Sequence, residues 1–320
     1  MNKFLLLISF LVVFQFEALA QDRETSGPVY IDSARAVPST PISKRKLVAP
    51  SREFKIYTPR NRGINKLVPG KGLPTGKDAA LQDKMGEIPS KAPKFSFEAA
   101  SSQSTPSDPT GVAGPNHYLN AWNSAFSVFD KEGNQISPPA SLASIGGEFS
   151  GETLGDPIVL YDSFANRYII SQFSDTPEGF LVAISQGPDP INDGWYTYRF
   201  DTNDVLPDYP KISIWGDAYY ITTNKNSSSA DESQVIYALE RDRMLAGLTA
   251  KIVSFPLPGI ETNGFYSPAG FSATGTNLPP PGNAPIVYLQ DDSWAGVNED
   301  HLKLWEINVN WNQPENSSIS

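Results

Sequence analysis

The residues best placed to do chemistry are three aspartates at regular spacing. Asp108 precedes Pro109, Asp156 precedes Pro157, and Asp208 precedes Tyr209 and Pro210. Each puts a carboxylate just before a short apolar run. If those runs are the innermost strands of a repeated fold, the three side chains ring one mouth of a central channel. Converging carboxylates raise one another's pKa, and glycoside hydrolysis uses such a pair. The same oxygens could hold Ca²⁺, which takes several oxygen ligands. The plainer alternative is turn chemistry, since Asp before Pro caps a chain entering a strand. A second acidic group, Asp291 and Asp292 with Asn298, Glu299 and Asp300, flanks one loop. Asp291, Asp292 and Asp300 are the candidate calcium ligands there, although the loop lacks the position pattern of a helix–loop–helix calcium site. Trp294 lies in the same loop. It could stack on a sugar ring or fold back as a loop anchor.

Other chemistries fail on counting. The chain has no Cys and two His, which excludes thiolate nucleophiles, disulfides, Cys-ligated metals and three-His sites. His117 and His301 both fall at expected strand starts, where a structural role suffices. Gly-x-Ser-x-Gly is absent; Gly270-Phe271-Ser272-Ala273-Thr274-Gly275 is one residue too long. A sialidase mechanism needs three arginines on the substrate carboxylate, and residues 95–320 hold only Arg167, Arg199, Arg241 and Arg243. Arg241 and Arg243 fall on a short helical turn expected at the rim. The stretch from Gly70 to Asp78 imitates a phosphate loop, but its glycine spacing is wrong and Asp78 stands where a hydroxyl belongs.

The elements that must position these residues repeat. Prolines 109, 157, 210 and 268 open modules spaced by 48, 53 and 58 residues. The clearest module runs from Ile158–Tyr161 through RYIISQF (167–173) and FLVAIS (180–185) to WYTYRF (195–200). KISIW, AYYITTN, QVIYALE and KIVSF repeat it over residues 211–255. Four short strands per 48–58 residues predict an all-β chain, a β-propeller with blades near 109–154, 155–206, 207–264 and 265–311. A stacked sandwich is the rival. The last module shows three strands and then a tail, 312–320, so the ring is expected to be incomplete. Lys94–Glu98 is the alternative source of a closing strand. Trp305, Ile307, Val309 and Trp311 alternate with polar residues and read as core between blades.

Composition sets the compartment. Phe4–Phe14 is apolar apart from one Ser, follows Lys3, and leads to the small-x-small site Ala18-Leu19-Ala20. That is the grammar of a secretory signal peptide over 1–20, and the run is too short to span a membrane. No transmembrane segment is expected. Residues 21–94 hold 15 Lys or Arg and 7 Asp or Glu, whereas residues 95–320 hold 9 and 27. The first stretch reads as a disordered basic leader that is free, lies against the acidic part, or meets an anionic surface. The net charge of −10 argues against a nucleic-acid partner.

Three motifs carry a resemblance. They are Asp156-Pro157-x-Val159-x-Tyr161-Asp162 with Arg167-Tyr168, then Pro207-Asp208-Tyr209-Pro210-Lys211 with Trp215 and Tyr219-Tyr220, then Tyr237 with Arg241 to Gly247. Over about residues 105–311 the chain resembles exported bacterial β-propeller proteins, often parts of multidomain surface proteins. It is more distantly similar to sialidase-like propellers, whose Asp-box is echoed out of spacing by Ser185, Asp189 and Asp193-Gly194-Trp195. The resemblance implies a secreted or cell-surface propeller and supplies no catalytic residue. The expectation is a non-catalytic binding or scaffolding module for a glycan or an envelope protein. A glycoside hydrolase or lyase using the channel-mouth carboxylates is the alternative, and calcium is the one cofactor the residues suggest.

Overall fold

Why the central strands form is visible in their burial. In RYIISQF, neighbouring residues point to opposite faces of the sheet, and both faces are covered. Ile169 enters one hydrophobic cluster while Ile170 enters the next. Tyr219 and Tyr220 divide in the same way. Such strands read as continuous apolar runs because no face is left for water.

The computed structural model describes residues 24–50, 55–56, 84, 86, 91–152, 154–175, 178–203, 206–224, 235–261, 268–292 and 294–320. The expected signal peptide lies outside them, as do the phosphate-loop imitation and most of the leader beyond residue 50. The strands begin with β1 (Tyr30–Ala34), β2 (Val37–Ser39), β3 (Lys55–Ile56) and β4 (Ser104–Thr105). Then come β5 (Thr110–Ala113), β6 (His117–Trp122), β7 (Ala125–Asp130) and β8 (Gln135–Ser141). Next are β9 (Ile158–Asp162), β10 (Arg167–Asp175), β11 (Glu178–Ser185) and β12 (Trp195–Asp201). They are followed by β13 (Asp208–Ile214), β14 (Ala218–Asn224), β15 (Ile236–Glu240), the one-turn helix α1 (Arg241–Leu245) and β16 (Ala250–Phe255). The last are β17 (Ala269–Gly270), β18 (Ala284–Gln290), β19 (His301–Asn308) and β20 (Ser318–Ile319).

The fold is all-β. Four antiparallel sheets follow one another along the chain: I (β5–β8), II (β9–β12), III (β13–β16) and IV (β17–β20), each in sequential strand order. The first strands lie side by side, β5 against β9, β9 against β13, and β13 against β17. Three clusters join the sheets. Leu119, Phe126 and Val128 of sheet I meet Tyr168, Ile170 and Trp195 of sheet II. Phe180 and Val182 of sheet II meet Tyr219, Ile221 and Tyr237 of sheet III. Tyr220, Ala238 and Val253 of sheet III meet Ile286, Trp305 and Ile307 of sheet IV. Among the described residues no such cluster joins sheet IV back to sheet I. A short parallel pair, β3 with β4, stands apart.

Two expectations need correction. Disorder does not hold for residues 24–50. Strand β1 pairs with β16 and β2 with β12, so both become outermost strands of sheets III and II. Ser26 and Ile319 exchange both backbone hydrogen bonds at 2.9 Å beside sheet IV, and Ser141 at the end of β8 donates to the Val48 carbonyl at 2.7 Å. The segment thus crosses the outer edges of all four sheets in reverse order. It needs no apolar period, because an edge strand is held by its backbone. Residues 312–320 are not a plain tail either: Pro314–Asn316 makes a 3-10 turn and β20 pairs with β19, with Ile319 fully buried. Lys94–Glu98 forms no strand. Phe97 instead packs its ring on Phe129 at 5.1 Å and edge-on to Tyr118 at 5.9 Å, covering the outer side of sheet I.

Candidate functional site

Side-by-side packing of β5 and β9 brings Asp108 and Asp156 together. The link between them is Asn123, in the tight turn from β6 to β7 and only 3% exposed. Its Nδ2 donates to Asp108 Oδ2 at 2.6 Å, to Asp156 Oδ1 at 3.2 Å, and to the Pro106 carbonyl at 3.3 Å. The Asp156 backbone N–H donates to Asn123 Oδ1 at 2.7 Å, which fixes the orientation of the amide. The two carboxylate oxygens are therefore no farther apart than those two donor distances end to end. The amide itself fills the gap. Gly155 permits this approach: with φ at 110°, it would carry any Cβ 2.3 Å from Asn123 Oδ1.

Backbone conformation gives the repeat a different register from the sequence. The residues directly before Pro109, Pro157 and Pro210 share a positive φ: 37° at Asp108, 48° at Asp156 and 51° at Tyr209. Proline disfavours the right-handed helical region for the residue before it, and Asp tolerates the left-handed one. A bulky Tyr there is an outlier of the kind that collects at functional surfaces. In the third copy Tyr209, not Asp208, thus takes that conformation. A bulge between Asp208 and Lys211 absorbs the extra residue and leaves Asp208 opposite Asn224. Asp208 is buried, while Tyr209 is 46% exposed. Lys211 Nζ sits 3.2 Å from the Tyr209 ring centroid, a cation–π contact. Burial lowers the Lys211 pKa, and Asp208 opposes that shift.

A second polar centre is wholly interior. Asp162, at the end of β9, is 0% exposed. Its Oδ2 accepts from Arg241 Nε and from the Tyr219 hydroxyl, both at 2.8 Å, and its Oδ1 accepts the Phe164 and Ala165 backbone N–H groups at 3.1 Å. Arg241 is thus not on the rim: the backbone turn of α1 aims it inward, and it clamps sheet III to sheet II. Burial works to lower its pKa, but the Asp162 bond and the fields of Tyr219, Asp162 and Asp242 together outweigh that, and the guanidinium is held above its ordinary value. This centre is structural, since every oxygen of Asp162 is engaged and none reaches solvent.

Asp291, Asp292 and Asp300 do come together, with one oxygen from each within 4.8 Å of the others. Asp300 Oδ1 accepts the Asp292 backbone N–H at 2.8 Å, which closes the loop on itself. Trp294 is 9% exposed, and its ring stacks on that of Tyr288 with centroids 5.8 Å apart. The exposed His301 places Nδ1 2.8 Å from the Glu299 carbonyl. The His117 carbonyl accepts from the Tyr168 hydroxyl at 3.0 Å, and its Nε2 lies 3.9 Å from Asp189, beyond a hydrogen bond. Asn123 and Tyr209 were not singled out by residue type. The nearest signal for Tyr209 is its place immediately before Pro210.

Compared with known proteins, the chain matches no family model, no curated protein and no solved structure. The site must be read from its own geometry.

Proposed function

We propose that this chain is an exported β-propeller-like module that binds a glycan or surface protein through the edge where β5, β9 and β13 begin, without turning it over. The blade reading is supported by four sequential antiparallel sheets whose first strands lie side by side. Export is supported by the signal-peptide grammar of residues 1–20. The observation that carries the binding reading is the position of Asn123. A glycosidase pair needs its two carboxylates open to a sugar between them. Here the gap between Asp108 and Asp156 is occupied by an amide that both of them bind. Among the described residues, that edge presents the Tyr209 ring, backed by Lys211. An exposed aromatic face of this kind stacks on sugar rings or apolar side chains.

A glycan panel with two readouts, retention and release of reducing ends, tests this. Retention without release is expected, and Tyr209→Ala should weaken it about tenfold, the worth of one aromatic contact. Release that disappears in Asp156→Asn would establish hydrolysis and overturn the reading. Retention indifferent to Tyr209→Ala would remove this edge as the binding surface.

A further inference from the structure

Strand β13 begins with side chains of opposite character on its two sides. Asp208 and Pro210 are buried, while Tyr209 is exposed and Lys211 half-buried. Residues two apart on a strand share a face, and the 3.2 Å from Lys211 Nζ to the Tyr209 ring centroid shows that these two do. The ring and the ammonium therefore stand together on the open side, and the Asp208 carboxylate does not. An ammonium has three donors. One faces the ring, and one points to the Pro210 carbonyl at a long 3.4 Å. Among the described residues no carboxylate lies within ion-pair reach of Lys211. Acids are plentiful, 27 against 9 basic residues over 95–320, yet this cation has none. Asp108 and Asp156, the nearest analogues of Asp208, are drawn to the Asn123 amide instead. A charge partly withdrawn from water costs free energy unless it is paired. Burial accordingly lowers the Lys211 pKa, with Asp208 opposing.

The ammonium also changes what the ring accepts. The bare face of a tyrosine ring is negative and attracts cations. With a positive charge held against one side, the ring favours an anionic partner over a cationic one. Resting on the reading of this edge as a glycan surface, we propose that its ligand is an acidic sugar, a hexuronate whose ring stacks on Tyr209 and whose carboxylate is received by Lys211. The flexible four-carbon stem lets Nζ turn from the ring face to a carboxylate at the ring's edge. A hexuronate carries an apolar face and a carboxylate on one ring. A neutral hexose offers only the first, and a basic peptide segment meets the repulsion of Lys211.

The test measures retention of the full chain on polygalacturonate and alginate and on their methyl esters, which keep the sugar backbone and lose the charge. An acid form should be held about tenfold more tightly than its ester, the worth of one charge-assisted hydrogen bond. The difference should shrink in high salt. Lys211→Met, which keeps most of the stem, should bring acid and ester to within about twofold of each other, and Lys211→Arg should keep the preference. Melting temperatures of both variants, followed in parallel, should stay close to wild type. Equal retention of acid and ester by wild type overturns the assignment, and so does an acid preference that survives Lys211→Met. If all four polymers are ignored while a neutral glycan is held through Tyr209, the acidic-sugar assignment falls and the glycan edge stands. If no glycan of either kind is held, both fall together.

Discussion

At the scale of single residues, Asn123 bears the greatest consequence for the least side chain. Its amide satisfies two carboxylates, a carbonyl and a backbone N–H in a site almost closed to water. Replacing it by Ala leaves these groups with lost partners, at a cost of about 1–3 kcal/mol for the buried ones. Asn123→Asp is the sharper variant, because it sets a third carboxylate against Asp108 and Asp156. Like charges at this distance raise the folded-state pKa of the cluster above its unfolded value. A raised folded pKa means stability that is present at low pH and is lost as pH rises through it. The melting temperature of Asn123→Asp should therefore fall further below wild type as pH increases from acid to neutral, whereas the Asn123→Ala deficit should change little. Thermal unfolding across that pH range decides it: a deficit that stays constant with pH in both variants would mean that Asn123 acts by packing and not through the two carboxylates.

At the scale of elements, what could be read from the sequence follows from how each strand is held. β10, β11 and β14 are buried on both faces, so their apolar runs announce them, and the proline-led spacing places the first two in one sheet and β14 in the next. α1 is legible for its charged turn, but not the inward aim of Arg241, because nothing in a local run of residues tells that Asp162 lies beneath it. β1 and β2 were hidden for the opposite reason: only Ala34 and Val37 among their residues are buried, and backbone pairing with β16 and β12 carries them. Asp108 and Asp156 were recognisable as a pair by their prolines, whereas the amide between them comes from a turn with no motif. The contact between sheets II and III offers a measurable case. Removing one member of a buried ion pair strands the other, typically for 3–5 kcal/mol. Asp162→Ala and Arg241→Ala should each cost about that much in urea unfolding, while Tyr219→Phe, which deletes one hydrogen bond, should cost about 1 kcal/mol. The Asp162→Ala and Arg241→Ala double variant should lose clearly less than the sum of the two, since the second change removes a charge already stranded. Additive losses would show that Arg241 is held by packing rather than by its partner.

At the scale of the whole molecule, the sheets are consecutive in the chain, and each is joined to the next through one hydrophobic cluster. Such an array is held mainly by nearest-neighbour interfaces. Residues 24–50 change that, because they run against the outer edges of sheets IV, III and II and reach sheet I near Val48. Sequence distance makes the tie long-range: Tyr30 pairs with Ser254, and Ser39 with Trp195. The segment is basic, and Arg35 pairs with Glu148 while Arg45 reaches the Ser144 carbonyl at 2.7 Å. The Arg35 pair is well exposed on both sides, so its contribution is small and salt-sensitive. Backbone pairing and the burial of Ala34, Val37 and Ile42 must hold the segment in place. It follows that salt should not release it, and that a protease should cut it no faster at high ionic strength than at low. Deleting residues 24–50 should bare the edges of β12, β16 and β20, lower the melting temperature, and promote aggregation through unpaired strands. Val37→Asp with Ile42→Asp is the gentler test, since it keeps the chain length and removes only the apolar anchors. Limited proteolysis of that variant should open the segment while the four sheets stay resistant. If the segment resists cleavage as well as wild type does, its hold comes from the backbone ladder alone; if wild type is already cut there in high salt, charge and not pairing is what binds it.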